Sequence, residues 1–242
     1  MIDKERFLPL FGTWSSKMAP FLSTPEFEGI YKELKKQSKE NKQIFPRSTQ
    51  TYRAFELCPY DKLKVVIVGM CPYHTKKGEV IIADGLALSC GNTGVLQSSL
   101  EQVYLALEEE LYDGMNLNME KTPDLSYLAS QGVLLYNVGL TTLENKAGSH
   151  IELWEPFSRY LFENVLSNIS GLIYIFLGKE ASKYEKYVNP LSQYSKVLTH
   201  PASASYKSTK WSSEGAFLWA NNILKQNNGE EYQIDWIDSV PW

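Results

Sequence analysis

The sequence predicts an α/β fold, a three-layer α/β/α sandwich around a central, mainly parallel sheet of four strands. Short apolar runs rich in Val, Ile and Leu are typical of the buried strands of such a sheet. Three such runs occur at 63–68, 132–136 and 172–177, and a weaker one at 196–199. Segments with apolar residues at roughly helical spacing lie at 96–111, 154–169 and 213–225. Strands that alternate with helices favour a parallel sheet covered on both faces.

Residues 1–60 are predicted to be mainly helical. Prolines interrupt this segment, and apolar residues recur in it at helical spacing, namely Phe27, Ile30, Tyr31 and Leu34. Aromatic residues at that spacing favour a core-facing helix. At 242 residues, without a repeat or a low-complexity tract, the chain has the size of one large domain. We therefore expect a single domain, 1–242, of which residues 1–60 form the helical N-terminal part.

The composition indicates a soluble protein that does not bind nucleic acid indiscriminately. Hydrophobic residues make up 43% of the chain and charged residues 21%, and the formal net charge is −4. A local basic cluster would still be enough to hold phosphates. Eighteen consecutive apolar residues occur nowhere, and the N-terminus lacks a long apolar core, so we expect neither a membrane span nor a secretory signal.

Cysteine usage points to a reducing compartment. The three cysteines, Cys58, Cys71 and Cys90, are odd in number and are not spaced like a zinc site. Reduced thiols in the cytoplasm are the simplest interpretation, with a nucleoid or a viral replication site as alternatives. We identify no cofactor motif and expect no cofactor, no metal and a monomeric protein.

The polar residues concentrate where the predicted strands end. Each strand leads into a short polar loop, at 70–74, 137–142, 178–181 and 200–205. The carboxyl ends of parallel strands share one edge of the sheet, where open α/β folds bind ligands. In the first of these loops a β-branched run ends at Gly69 and is followed by Pro72, Tyr73 and His74. We therefore expect an active site at this edge.

Six motifs, in order, resemble those of the main family of uracil-DNA glycosylases. Segment 69–74, Gly-Met-Cys-Pro-Tyr-His, resembles that family's Gly-Gln-Asp-Pro-Tyr-His, and 85–89 its Gly-Leu-Cys-Phe-Ser. Segment 132–141 resembles Gly-Val-Leu-Leu-Leu-Asn-Ala-Val-Leu-Thr, 149–157 resembles Ser-His…Trp-Glu-x-Phe, and 200–205 resembles His-Pro-Ser-Pro-Leu-Ser. Segment 234–236 matches the closing Ile-Asp-Trp. The resemblance covers nearly the whole chain, and it implies base excision repair by hydrolysis of the N-glycosidic bond of an everted uracil.

The resemblance assigns roles to residues of the predicted site. His200 matches the histidine that donates a hydrogen bond to the departing base, and Asn137 matches the amide that pairs with uracil. Tyr73 matches the ring that excludes the methyl group of thymine, and Pro72 holds its loop rigid. Without the motifs, each would be read as a structural residue at a strand end. His150 is expected to fix local structure.

Several substitutions depart from the family pattern. Cys71 stands where the family has the Asp that orients the attacking water, and a thiol with an ordinary pKa of about 8.5 is mostly neutral. Leu88 replaces a Phe that stacks on uracil, and Met70 replaces Gln. Segment 75–84 is longer than the family's loop by several residues and is expected to reshape the mouth of the pocket.

The DNA contacts implied by the resemblance fall on seven positions at the rim of this site. Ala204 replaces the Leu that wedges into the duplex, so single-stranded DNA is expected to be the favoured substrate. The expected DNA-binding residues are His74, Ser98, Gly178, Lys179, Ser203, Ala204 and Ser205.

Three alternatives stay open at this point. The substitutions at Cys71, Leu88 and Ala204 also suit a catalytically weakened protein of the same fold. Such a protein would act as a DNA-binding or replication-associated subunit, or as a decoy for a glycosylase inhibitor. The altered mouth also suits a glycosylase for another modified pyrimidine. Cys71 and His74 have a spacing that permits a nucleophilic Cys-His pair, but the sequence offers it no orienting residue. Besides DNA, a protein inhibitor or a replication protein is therefore an expected partner.

Overall fold

The computed structural model describes residues 4–112, 121–207 and 209–238. Its strands are β1 (Ile44–Phe45), β2 (Val65–Gly69), β3 (Lys76–Lys77), β4 (Val80–Ile81), β5 (Val133–Asn137), β6 (Thr142–Leu143), β7 (Ile173–Leu177) and β8 (Tyr194–Leu198). Its α-helices are α1 (Ser15–Leu22), α2 (Pro25–Lys39), α3 (Arg53–Leu57), α4 (Ser98–Tyr112), α5 (Ser126–Ser130), α6 (Ile151–Tyr160), α7 (Lys179–Ser182), α8 (Ala202–Lys207) and α9 (Ala216–Asn228).

The central sheet has the strand order β5-β2-β7-β8, and each neighbouring pair in it is parallel. Every residue of β2, β5 and β7 is buried, which explains their unbroken apolar sequences. The edge strand β8 is largely exposed, and its apolar pattern is correspondingly weaker. The predicted fold class is confirmed, and the predicted strands differ from the observed ones by one or two residues at their ends.

Helices cover both faces of this sheet. On one face, the rings of Tyr136 and Phe176 pack against Phe162, which follows α6, and Tyr136 also meets Phe55 of α3. On the other face, side chains of β2, β5 and β7 meet α4, α9 and Trp236 around a small apolar void. Alternate residues of each strand therefore serve opposite layers, as the geometry of a strand requires.

The N-terminal part is helical, as predicted. Thr24 caps α2 by accepting a hydrogen bond from the Phe27 N–H, and Pro25 occupies the first helical turn. Phe27 and Ile30 of this helix are buried, in agreement with their spacing. None of the helices in the described ranges has the length and the apolar composition needed to cross a bilayer.

The structure differs from expectation in the connections. Segment 75–84, expected as a loop, contains an antiparallel hairpin of β3 and β4, and β1 pairs with β6 outside the central sheet. The short helices α7 and α8 occupy segments expected as polar loops. Two-residue strands and single helical turns carry too few residues for a periodicity to develop, so no sequence pattern indicated them. The single-domain assignment stays a prediction.

Candidate active site

An open cavity of about 570 Å³ lies at the carboxyl ends of the central strands. Most of the predicted site residues line it, although they come from six separate segments of the chain. These residues are Met70, Cys71, Pro72, Tyr73, His74, Leu88, Ser98, Asn137, Gly178, Lys179 and His200. The parallel topology explains the convergence, because the segments that follow β2, β5, β7 and β8 emerge at one edge.

Asn137, the last residue of β5, presents a buried amide to this cavity. Its side chain is 6% exposed, and no hydrogen-bond partner for it occurs among the described residues. An added Cβ at Gly69 would lie 2.5 Å from the Asn137 Oδ1, so only glycine leaves room for the amide there. A buried amide without a partner loses free energy unless a ligand satisfies it.

His200 follows β8, and its hydrogen bonds define its tautomer. The Ala202 N–H donates to the His200 Nδ1 at 3.2 Å, so the ring proton resides on Nε2. Burial lowers the pKa of the imidazole, which favours its neutral form. Gly178 has a φ of +86° and packs against the Cβ of His200. A Cβ added at position 178 would lie 3.0 Å from that atom. The cavity thus receives a neutral imidazole whose Nε2–H has no partner among the described residues.

Tyr73 forms part of the cavity wall with its hydroxyl tied down. That hydroxyl donates to the Leu88 carbonyl oxygen at 3.1 Å, and burial raises the pKa of the phenol well above its usual range. Leu88 adopts a φ of +67°, an unusual conformation for a residue with a side chain. The ring of Tyr73 is therefore a neutral, fixed wall, and Leu88 adds an aliphatic surface beside it.

Cys71 occupies the cavity as a neutral thiol. The Gly148 N–H donates to its Sγ at 3.2 Å. Burial raises the pKa of the thiol, and this backbone hydrogen bond offsets only part of that shift. The group is therefore protonated at neutral pH, and it offers a weak acceptor where a carboxylate would offer a charged one. Gly148 belongs to the loop that follows β6.

A buried ion pair that the sequence analysis missed supports the wall carrying Leu88. Asp84 is 1% exposed and lies 2.9 Å from Arg53 Nη1. Its carboxylate also accepts hydrogen bonds from the Ser89 hydroxyl and from the N–H groups of Leu86 and Gly91. The segment 84–91 therefore wraps around one carboxylate. Arg53 and Asp84 are far apart along the chain, and no sequence signal connects them.

Further residues that were not singled out complete the lining of the cavity. Leu86, Gln97, Ser99, Ala147, Glu180 and Ala202 contribute to it. Gln97 and Ser99 flank the predicted Ser98 at the start of α4, and Glu180 follows the predicted Lys179. Leu86 and Ala202 lie within two of the resembled motifs, but no motif marks the other four, because their positions depend on how the loops pack. Among the described residues no cluster of three His, Cys, Asp or Glu side chains is placed to hold a metal ion.

The segment after His200 differs from expectation. Ala204 is only 2% exposed, so its methyl group packs inward. A DNA contact at this position stays a prediction. Ser203 donates from its hydroxyl to the His200 carbonyl oxygen at 2.7 Å and stabilises the turn. Ser205 lies in α8, and its side chain is outside the described part. Neither Ser203 nor Ala204 lines the cavity.

His150 lies in the core, as expected of a structural residue. Its Nε2 is 2.8 Å from the Gln37 Oε1, and its Nδ1 is 2.8 Å from the Thr141 hydroxyl. Burial lowers its pKa. These bonds join α2 to the segment between β5 and β6.

Known proteins resemble this chain over most of its length. No protein-family model matches the chain. It is 34% identical over 199 residues to the uracil-DNA glycosylase of Mesomycoplasma hyopneumoniae, covering 81% of this chain and 85% of that protein. It is 30% identical over 232 residues to the enzyme of that name from Francisella tularensis, covering 93% and 98%.

Solved structures share the fold. A crystal structure of mimivirus uracil-DNA glycosylase superimposes with a TM-score of 0.82 at 23% identity, covering 98% of this chain and 93% of that one. A mimivirus variant in complex with UGI gives 0.83 at 24% identity, covering 95% and 90%. The identities to the bacterial proteins extend over most of both sequences. Four of the six motifs, 69–74, 85–89, 132–141 and 200–205, contribute residues to one cavity. The chain belongs to the uracil-DNA glycosylase family.

Proposed function

We propose that this protein removes uracil from DNA by everting the nucleotide into the cavity and hydrolysing its N-glycosidic bond. The observation that carries the proposal is the buried, unpartnered amide of Asn137 in the same cavity as His200 and Tyr73. An amide offers a donor and an acceptor side by side, which fits the imide N–H and the adjacent carbonyl of uracil. The activity carried by the names of the bacterial relatives supports the same substrate.

The chemistry requires stabilisation of two developing charges. The bond between C1′ of the deoxyribose and N1 of the uracil breaks. Its electron pair leaves with the uracil, and the sugar becomes cationic. The oxygen of a water molecule then bonds to C1′ and releases a proton. The Nε2–H of His200 is the donor suited to the oxygen on which uracil accumulates negative charge. The fixed ring of Tyr73 excludes a 5-methyl group.

We further propose that the reaction is slower than with an acidic residue at position 71. The neutral thiol of Cys71 neither orients water as a charged acceptor nor stabilises the cationic sugar. General-base assistance is typically worth about 100- to 10,000-fold in rate. His200 and Asn137 retain the interactions with the departing base, so activity is reduced and not abolished.

We also propose that single-stranded DNA is the preferred substrate. Eversion from a duplex requires unpairing and unstacking, which an inserted side chain facilitates. The short and buried Ala204 cannot insert into a base stack. Eversion from a single strand requires less free energy, because its bases are already unpaired.

A second candidate function is DNA binding without significant catalysis. The neutral thiol at position 71 favours it specifically, since the remaining cavity would still hold an everted base. In that case the protein would serve as a replication-associated subunit or as a decoy for a protein inhibitor. The mimivirus protein crystallised in complex with UGI supports a protein of that kind as a partner.

Uracil release under single-turnover conditions separates these functions. We expect the parent protein to release uracil slowly, and faster from single-stranded than from duplex DNA. Cys71→Asp is expected to raise the rate about 100-fold or more, because the Gly148 N–H would then orient a carboxylate. Cys71→Ser, which keeps a small neutral group, is the matched control and should change the rate only a few-fold.

His200→Ala should abolish release while leaving the urea midpoint of unfolding and DNA binding nearly unchanged. Binding of uracil-containing DNA by the parent without any release would refute the catalytic proposal and favour the binding protein. Release of a different modified pyrimidine, with uracil left intact, would refute the assigned substrate.

A further inference from the structure

The hairpin of β3 and β4 extends the rim of the cavity with an exposed lysine. We propose that this hairpin contacts the phosphate backbone of the strand that flanks the everted nucleotide, with Lys77 as the phosphate-binding side chain. The proposal rests on the proposed function, since it assumes a DNA strand at the cavity. It assigns a partner surface to segment 75–84, which is longer than the corresponding loop of the resembled family.

The base of the hairpin is fixed at the rim. The hairpin begins two residues after His74, which lines the cavity. The Asn145 N–H donates to the His74 carbonyl oxygen at 2.7 Å, and Lys76 Nζ lies 3.1 Å from Glu144 Oε1. A few residues further along, Ala147 lines the cavity too. The hairpin is therefore anchored to two segments that form the cavity mouth.

The two faces of the hairpin differ in charge. Lys76 is opposite Ile81, and Lys77 is opposite Val80, so the two lysines point to opposite faces. The charge of Lys76 is neutralised by Glu144. Lys77 is exposed beside Val80, which is 39% exposed, and pairs with no carboxylate in the described ranges. Glu79 is the hairpin's one acid and lies in the turn, so Lys77 remains its unpaired cation.

A second exposed lysine, Lys179, lines the cavity itself. It begins α7 directly after β7, whereas the hairpin is anchored to the segment that follows β6. A strand whose nucleotide enters the cavity continues past the mouth in both directions. Backbone phosphates are the groups that lysines bind regardless of sequence. Without an inserted wedge, such contacts are what would hold a single strand in place.

The test compares Lys77→Ala with Lys225→Ala. Lys225 lies in the last turn of α9. This turn is at the amino end of β8, far from the cavity edge, because the amide of the neighbouring Asn227 donates to the Tyr194 hydroxyl. Both variants remove one positive charge. The Michaelis constant for uracil release is measured at several salt concentrations. The substrates are a uracil-containing trinucleotide and two 15-nucleotide single strands, one extended from the uracil only in the 5′ direction and the other only in the 3′ direction.

We expect Lys77→Ala to raise KM about five- to tenfold at 50 mM salt on the strand extended in one direction, with kcat unchanged. The slope of log KM against log salt should fall by about 0.7, the value for one phosphate on a single strand. The trinucleotide and the strand extended the other way should be unaffected, and Lys225→Ala should behave as the parent.

The proposal would be overturned by an equal rise in KM on the trinucleotide or by an equal rise in KM in Lys225→Ala. An unchanged slope of log KM against log salt in Lys77→Ala would overturn it as well. An unchanged slope would leave a protein partner as the reason for the hairpin. If the parent releases no uracil, fluorescence anisotropy with the same single strands measures the same slopes for binding. The failure of the catalytic proposal and the failure of this one are therefore distinguishable.

Discussion

His200 illustrates how a single backbone contact selects a chemical role. The Ala202 N–H points at Nδ1, so this nitrogen must carry a lone pair and the proton must reside on Nε2. Protonation of Nδ1 would place two hydrogens against each other, and burial disfavours the cation as well. The side chain is therefore held as a neutral donor, the form suited to an oxygen that gains negative charge.

The pH dependence of uracil release tests this assignment. Because the pKa of His200 is lowered from its ordinary value of about 6.5, the rate should stay constant from pH 8 to about 6.5 and fall only below that. Single-turnover rates between pH 5 and 8.5 give this profile, and His200→Gln, which keeps a neutral donor, should lose the acidic decline. A decline that begins above pH 7 would contradict the neutral imidazole. A rise in the rate of uracil release between pH 7 and 8.5 would contradict the assignment of Cys71 as a neutral thiol.

At the scale of elements, the wall that carries Leu88 depends on one buried carboxylate. Segment 84–91 has no regular structure before Gly91, so its shape comes from the bonds that Asp84 accepts. Arg53 of α3 compensates that charge and also contacts Asp124 at 3.3 Å. Through these two ion pairs Arg53 connects α3, the cavity wall and the segment before α5.

Replacement of Arg53 tests this connection. Arg53→Met leaves the carboxylate of Asp84 buried without its cation, which should lower the free energy of unfolding by about 3–5 kcal/mol. KM should rise with it, because Leu88 loses its support. Urea denaturation measures the first effect and steady-state kinetics the second. Arg159→Met is the control, since Arg159 forms an exposed pair with Glu155 within α6 that should contribute less than about 1 kcal/mol.

A loss below 1 kcal/mol in Arg53→Met would show that the ion pair with Arg53 does not stabilise the segment.

At the scale of the molecule, two histidines link stability to pH, the buried His150 and the partly buried His200. His150 and His200 both have lowered pKa values because burial disfavours their charged forms. The unfolded chain, with pKa values near 6.5, then binds protons more readily than the folded chain. Stability is therefore fully present above that pH and is lost as the pH falls through 6.5 towards the lower folded-state values.

Urea midpoints at pH 7.5 and pH 5.5 measure this linkage. We expect a lower midpoint at pH 5.5 in the parent protein. The difference should shrink in His150→Gln, which removes one of the two titrating groups while keeping a polar side chain between Gln37 and Thr141. An equal difference in parent and variant would show that groups other than His150 account for the pH dependence.

The buried strands were predictable because each is an unbroken apolar run, and a run of that kind reports burial directly. Asn137, His200 and Tyr73 were identifiable because they stand in motifs at strand ends. The burial of Ala204 was not predictable, since sequence position alone does not indicate which way a short helix such as α8 faces. The hairpin was missed because its strands are two residues long.

The sequence by itself determined the fold class, the family and the edge of the sheet that carries the site, because periodicity and motif order are local properties of the chain. The tertiary structure alone decided the lowered pKa of His200, the unpartnered state of the Asn137 amide, the raised pKa of Cys71 and the Arg53–Asp84 pair. Each depends on contacts between segments that are distant along the chain, or on burial, and burial exists only once the layers have packed.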